Sequence, residues 1–170
     1  MAPSYLLIPM PDADTAERPI AATEHAALVR RIARALCRNP HDAEDAEQES
    51  LLLILKHQAD FQDRGSLEGW VRRIATRASL RVARRRRLWS WLLVDVPAEP
   101  AAVPDSDRAL RLYTALGELS ARERAVFVLH YQEELPFAEV AAAVGCREGT
   151  ARNYAFRAST KLRRLLGDLA

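Results

Sequence analysis

Three groups of side chains in this sequence are spaced so as to do chemistry. The densest is a row of arginines: Arg73, Arg77, Arg81 and Arg84 or Arg85 follow steps of three or four residues, Arg72, Arg86 and Arg87 stand beside them, and no acid intervenes in the sequence between Glu68 and Asp95. On a helix such steps gather the guanidinium groups on one face, where they repel one another; phosphates, met by planar bidentate hydrogen bonds, are the natural neutralising partner. A second set, Glu148, Thr150, Arg152, Asn153, Phe156 and Arg157, follows Arg147 directly and precedes Lys161, Arg163 and Arg164. Arginine and asparagine bond guanine and adenine edges bidentately, and the later cations suit phosphates. The third is acidic: Asp42, Glu44, Asp45, Glu47 and Glu49 exceed what a helix start needs to complement its dipole, so they form either a surface whose partner should be basic or a solvated acidic face.

All three chemistries are recognition. No carboxylate pair, nucleophile–base set or metal-ligand cluster is evident, so neither an enzyme nor a cofactor or metal is expected. Cys37 and Cys146 belong to no Cys-x-x-Cys pair, and a disulfide framework is not expected. Cys37 and His41 have a spacing that could share a helix face, but a metal needs more ligands, and Cys37 is read as a small buried thiol. The start, with acids and prolines around Tyr5 to Ile8, does not resemble a signal peptide, and no apolar run approaches a membrane span. The expected compartment is the cytoplasm. The net charge of +2 alone predicts no nucleic-acid partner; the distribution of charge does.

The elements that must position these groups are helices. Alanine, leucine and arginine dominate, aromatics make up 6% of the 170 residues, and no convincing strand pair is found. Residues 1–20 mix prolines, acids and small residues and are read as a flexible arm. Leu28, Ile32, Ala35 and Leu36 then recur at helical spacing as far as Asn39-Pro40, which can end one helix and start the next. The second helix carries the acids and turns apolar through Leu51 to Leu55. After a polar loop, Ser66 can cap a third, with Trp70, Val71, Ile74, Ala75, Ala78 and Val82 on its apolar side and arginine on the other. Trp89 and Trp91 follow; they could stack on bases, or pack into the first domain. Residues 95–107 hold three prolines without apolar periodicity. They read as an extended linker that divides the chain into small helical domains, 21–94 and 108–170.

The second domain opens with Leu110, Tyr113, Leu116 and Leu119. Ser120 to Glu123 spell a capping box before a helix through Val126, Phe127, Leu129 and His130. Pro136 to Leu166 then has the pattern of a helix-turn-helix. Pro136 starts the first helix, Ala141 and Gly145 supply the small residue and the left-handed turn, and Val140, Val144, Ala151 and Tyr154 fall where the pair must bury apolar surface. The outward positions of its second helix are the base-reading set above.

In this order the motifs resemble a bacterial RNA polymerase sigma factor of the extracytoplasmic-function group, over residues 23–166. The resemblance is carried in region two by Asp42-Ala-Glu-Asp45-Ala-Glu-Gln48-Glu49, Phe61, Trp70-Val-Arg-Arg-Ile74-Ala75 and the arginine run. In region four it is carried by Ala115-Leu116, Leu119, Arg122-Glu-Arg124, Glu139-Val-Ala141, Gly145 and Gly149-Thr150-Ala-Arg152. It implies an all-α chain in which a region-two bundle and a region-four helix-turn-helix are joined by a flexible proline-rich linker. It also implies that Asp42, Asp45, Gln48 and Glu49 dock on the clamp helices of the polymerase beta-prime subunit. The loop from Gln58 to Ser66, with Phe61, Arg64 and Ser66, would hold a flipped base of the minus-ten element, and Arg73, Arg77, Arg81, Arg84 and Arg85 the backbone beside it. Region four would sit on the beta flap and read the minus-thirty-five element through Arg147, Glu148, Thr150, Arg152, Asn153, Phe156, Arg157 and Lys161. An anti-sigma factor is the further partner implied. Arg77 and Arg81 stand where asparagine and aspartate are usual in the family. That departure keeps open a sigma-derived regulator that binds duplex DNA without core polymerase, and the excess acid leaves a third reading, an interaction protein.

Overall fold

A computed structural model of the chain describes residues 25–58, 61, 66–90 and 107–167, the side chains of 89, 90 and 107–109 excepted. Every regular element among them is helical. Helix α1, Ala26–Leu36, buries Leu28, Val29, Ile32, Ala33 and Leu36, the stripe that a 3.6-residue period puts on one side. It stops where Cys37 turns extended. Asn39 then caps α2, Pro40–His57, its side-chain oxygen accepting the Asp42 amide at 2.7 Å, with Pro40 in the first turn, where no amide is missed. Helix α2 buries mainly small residues, Ala43, Ala46 and Ser50, before Ile54; small side chains let neighbouring helices approach closely. Ser66 caps α3, Leu67–Ser90, by accepting the Gly69 amide at 3.0 Å. With 24 residues, α3 is about 36 Å long.

Helices α4, Asp107–Gly117, and α5, Ala121–Phe127, meet at the expected capping box: the Ser120 hydroxyl accepts the Glu123 amide and the Glu123 carboxylate accepts the Ser120 amide. Helix α5 runs on as a π-helical turn, Val128–Gln132, closed by the Glu133 amide on the Val128 carbonyl. Helix α6 is Phe137–Val144 and α7 is Glu148–Leu166. Gly145 between them lies at φ 74°, and the amides of Gly145 and Cys146 both reach the Ala141 carbonyl. A residue with a β-carbon is strained at that φ. The helix-turn-helix therefore forms where the sequence placed it, with Val140, Val144 and Ala151 buried and Tyr154 half-buried.

The two sets of helices do not stand apart. One apolar cluster joins Val29 and Ile32 of α1, Ile54 of α2 and Val71 and Ala75 of α3 to Val126, Leu129, Val140, Val144 and Ala151. Helix α6 packs on α3, and α5 touches both α1 and α3. This is why Glu123, Arg124, Ala125 and Val126 are consecutively buried: α5 is covered on more than one side. Arg124, 5% exposed, fastens the junction. It donates to the carbonyls of Leu116, Gly117 and Leu119 at 2.9, 3.3 and 3.2 Å and to that of Leu36, at the end of α1, at 3.1 Å. Burial lowers its pKa, yet a guanidinium stays charged, and it meets the unpaired carbonyls that helix C-termini leave.

Cys37 and His41 do not share a helix face, because Cys37 ends α1 and His41 lies in α2. Cys37 is a buried thiol whose pKa burial pushes up to about 12. Among the described residues no group of three metal-ligating side chains comes together, and no helix is long and apolar enough to cross a membrane.

Candidate nucleic-acid and polymerase interface

The arginine row of α3 is divided by its surroundings. Toward the start of the helix, Ser66 and Arg73 line a cleft of about 260 Å³ whose far wall is Leu135, Glu139, Ala142 and Ala143. Arg77 donates to the Ala142 carbonyl of α6 at 3.0 Å. Further along, Arg81 and Arg85 reach Glu49 at 2.8 and 3.5 Å, and Arg86 reaches Asp42 at 3.3 Å. Arg84 is exposed. The sequence had suggested that this face lacks carboxylates. Packing supplies them from α2, so part of the acidic set and part of the basic set answer one another within the chain. Asp42 shows the cost: burial raises its pKa, with the Arg86 charge pulling the other way.

What α2 leaves outside is a ridge of Asp45, Gln48, Leu52 and Leu55. These residues follow steps of three and four, so they share a face. Asp45 and Gln48 are exposed, Leu52 is 67% exposed and Leu55 46%. The run Leu51 to Leu55, apolar throughout in sequence, sends only Ile54 into full burial. Phe61 lies against Trp70, ring centroids 5.6 Å apart. Arg64, Trp91 and the Trp89 side chain lie outside what is described.

Helix α7 is the more open element. Arg147, Glu148, Arg152, Asn153, Phe156 and Arg157 are exposed and Thr150 is half-buried; Phe156, at 73%, is the most exposed of the large apolar side chains described. Lys161 instead bonds Glu123 at 2.9 Å. Burial raises the Glu123 pKa, but the Lys161 ammonium and the Ser120 amide outweigh it, and the carboxyl is held below its ordinary value. Lys161 is thus tied to the capping box that starts α5. Arg152 pairs with Glu148 and also lies over the Phe137 ring, 4.8 Å from its centroid.

Several contacts have no local signal in the sequence. Arg31 bonds Glu133 at 2.6 Å, and the Tyr113 hydroxyl donates to the Arg38 carbonyl at 2.7 Å, both across the junction. The burial of four successive residues in α5 belongs to the same junction, and it too is a property of the fold.

A helix-turn-helix with a cationic outer face, packed here against a bundle that carries its own arginine helix, is the architecture of a DNA-binding protein. Residues 21–88 match the model of sigma-70 region 2, and residues 109–162 that of sigma-70 region 4. The chain is 36% identical over 149 residues to the ECF RNA polymerase sigma factor SigE of Mycolicibacterium smegmatis, covering 82% of this chain and 58% of that protein. It is 33% identical over 150 residues to the RNA polymerase sigma factor CarQ of Myxococcus xanthus, covering 85% of this chain and 86% of CarQ. The sigma factor RpoE of Bartonella quintana, in a co-crystal with the anti-sigma factor NepR, shares the fold. Its TM-score is 0.70 at 24% identity, over 87% of this chain and 95% of that one. The chain belongs to the extracytoplasmic-function group of the sigma-70 family, with regions 2 and 4.

Proposed function

We propose that this chain directs transcription initiation: it joins core RNA polymerase and reads promoter DNA at two points, performing no catalytic step itself. The observation that carries the reading is the outer face of α7, where Phe156 is 73% exposed between Asn153 and Arg157. An exposed ring between an amide and a guanidinium suits a base-pair edge flanked by phosphates, where apolar contact meets the thymine methyl and the polar groups meet base edges and backbone. On this reading Arg147, Glu148, Thr150, Arg152, Asn153, Phe156 and Arg157 face the minus-thirty-five element, with Lys161 at its border. Phe61, Arg64 and Ser66 and the arginines of α3 face the minus-ten element.

The exposed ridge of Asp45, Gln48, Leu52 and Leu55 supports docking on the basic clamp helices of beta-prime, and region 4 would sit on the beta flap. Asp42 and Glu49 contribute indirectly, by holding Arg86, Arg81 and Arg85. Because α6 lies over Arg73 and Arg77, both halves can engage a promoter only after they part. The prolines of 95–107 support a tether that keeps them at high effective concentration once parted. An anti-sigma factor, the class of partner named for the Bartonella quintana protein, is a fitting regulator of that step, and the cytoplasm is where polymerase and promoter are found.

The test is a core-binding titration with an Asp45→Lys/Gln48→Ala variant, which leaves the Glu49 pairs intact. The variant should lose core binding while retaining its thermal midpoint and its salt-dependent affinity for duplex DNA. A wild-type chain that binds DNA but never core polymerase contradicts the reading.

A further inference from the structure

Arg152 is not left free on the face of α7. Its guanidinium lies 4.8 Å from the centroid of the Phe137 ring, and Glu148, one turn back on α7, takes part of its hydrogen bonding. Phe137 is itself held. The His130 ring stacks on it, centroids 3.9 Å apart and planes 29° from parallel, and the His130 Nδ1 bonds the Leu135 carbonyl at 2.8 Å. Tyr131 meets His130 edge-on at 4.8 Å and Phe127 at 4.9 Å. The π-helical turn Val128–Gln132 presents His130 and Tyr131 to this column, and Pro136, extended at the start of α6, aims Phe137 into it. A long arginine that must be ordered at the moment of binding loses rotamer entropy, whereas one held by a ring and a carboxylate has lost it beforehand.

We propose that Phe137 is a specificity-positioning residue: its ring, braced by His130, holds the Arg152 guanidinium in the pose from which it reads a base edge. The inference rests on the reading of α7 as the DNA-reading helix. Phe137 touches no base in this account and acts through Arg152. Glu148 serves as the second restraint on the same guanidinium.

The experiment selects a pool of duplex DNA of randomised sequence on holoenzyme formed from core polymerase and the full chain, and sequences what is retained. Arg152→Ala should flatten base preference at one position, by roughly 5- to 100-fold for a bidentate contact. Phe137→Leu should reduce preference at that same position by about 2- to 5-fold, the size of an exposed cation–π contact, and leave other positions unchanged. The double variant should match Arg152→Ala alone. Phe137→Tyr, which keeps a ring face, should restore the preference. Phe137→Met, close in volume and without a ring, replaces the leucine variant should that one unfold. Equal weakening at all positions in Phe137→Leu, or effects of Phe137 and Arg152 that simply add, would overturn the proposal while sparing α7 as the reading helix. If Arg152→Ala itself changes no position, the assignment of Arg152 as a base reader falls, and the proposal with it.

Discussion

Weakening the contacts between regions 2 and 4 should tighten the binding of core polymerase even as it makes the free chain less stable. The perturbation is Arg31→Ala with Tyr113→Phe, two residues outside the surfaces assigned to polymerase and DNA. Arg31 is 55% exposed but its partner Glu133 only 6%, at 2.6 Å. An exposed ion pair contributes ~0–1 kcal/mol, and the shielding of Glu133 puts this one near the top of that range, about 1 kcal/mol. The Tyr113 hydroxyl bond to Arg38, 2.7 Å long, adds about 1 kcal/mol. Together these favour the closed arrangement by about 2 kcal/mol, a factor of roughly 30 in the closed-to-open ratio. If only the open form assembles with polymerase, apparent affinity scales with the open fraction, so the double variant should bind core up to about 30-fold more tightly. The assay is a titration of labelled core polymerase with the full chain, alongside thermal unfolding of the chain alone. Unchanged or weaker core binding together with a lowered unfolding midpoint would refute the idea that closure competes with assembly.

Gly145→Ala should cost about 1–2 kcal/mol in urea unfolding, from backbone strain alone, since a β-carbon at this left-handed residue meets nothing within 4 Å. A much larger loss would reveal a contact that the turn does not show. Cys37, its thiol pushed up to about 12, should resist alkylation at pH 8 in the native chain while the half-buried Cys146 reacts first; mass spectrometry of the labelled peptides would show the reverse order if Cys37 were accessible. Glu123 is held below its ordinary 4.5, so its contribution is present above that value and is lost as pH falls through the lower folded value. The stability gap between wild type and Glu123→Gln should therefore be full at neutral pH and shrink in acid below 4.5, whereas a gap independent of pH would mean that the carboxylate charge does not matter.

Elements with a local cause were legible in the sequence. The Asn39-Pro40 start, the Ser66 cap, the Ser120–Glu123 box and the Gly145 turn each depend on residues within a few positions, and each forms as read. Partnership between distant residues was not. A row of arginines without neighbouring acids in sequence cannot announce that Glu49 and Asp42 lie beside it, because helix pairing brings them there. Leu52 and Leu55 look like core in an apolar run, and only the choice of which face α2 buries leaves them out. Arg124 reads as one more cation in a capping-box helix, yet it is buried among carbonyls from both halves. Lys161 looks like a phosphate contact and is tied to Glu123 instead. The outer face of α7 was the most legible part of the candidate site, since an amphipathic helix exposes the positions that its buried alanines do not use.

The central claim, that this chain turns core polymerase into an enzyme that starts at promoters, is tested most directly by transcription from a library of genomic fragments with purified core polymerase, mapping the 5′ ends of the transcripts. Addition of the chain should produce defined start sites that share two upstream sequence blocks, and the Asp45→Lys/Gln48→Ala variant should abolish them. Defined DNA binding without any new start site would contradict the account and leave a regulator that works without polymerase in its place.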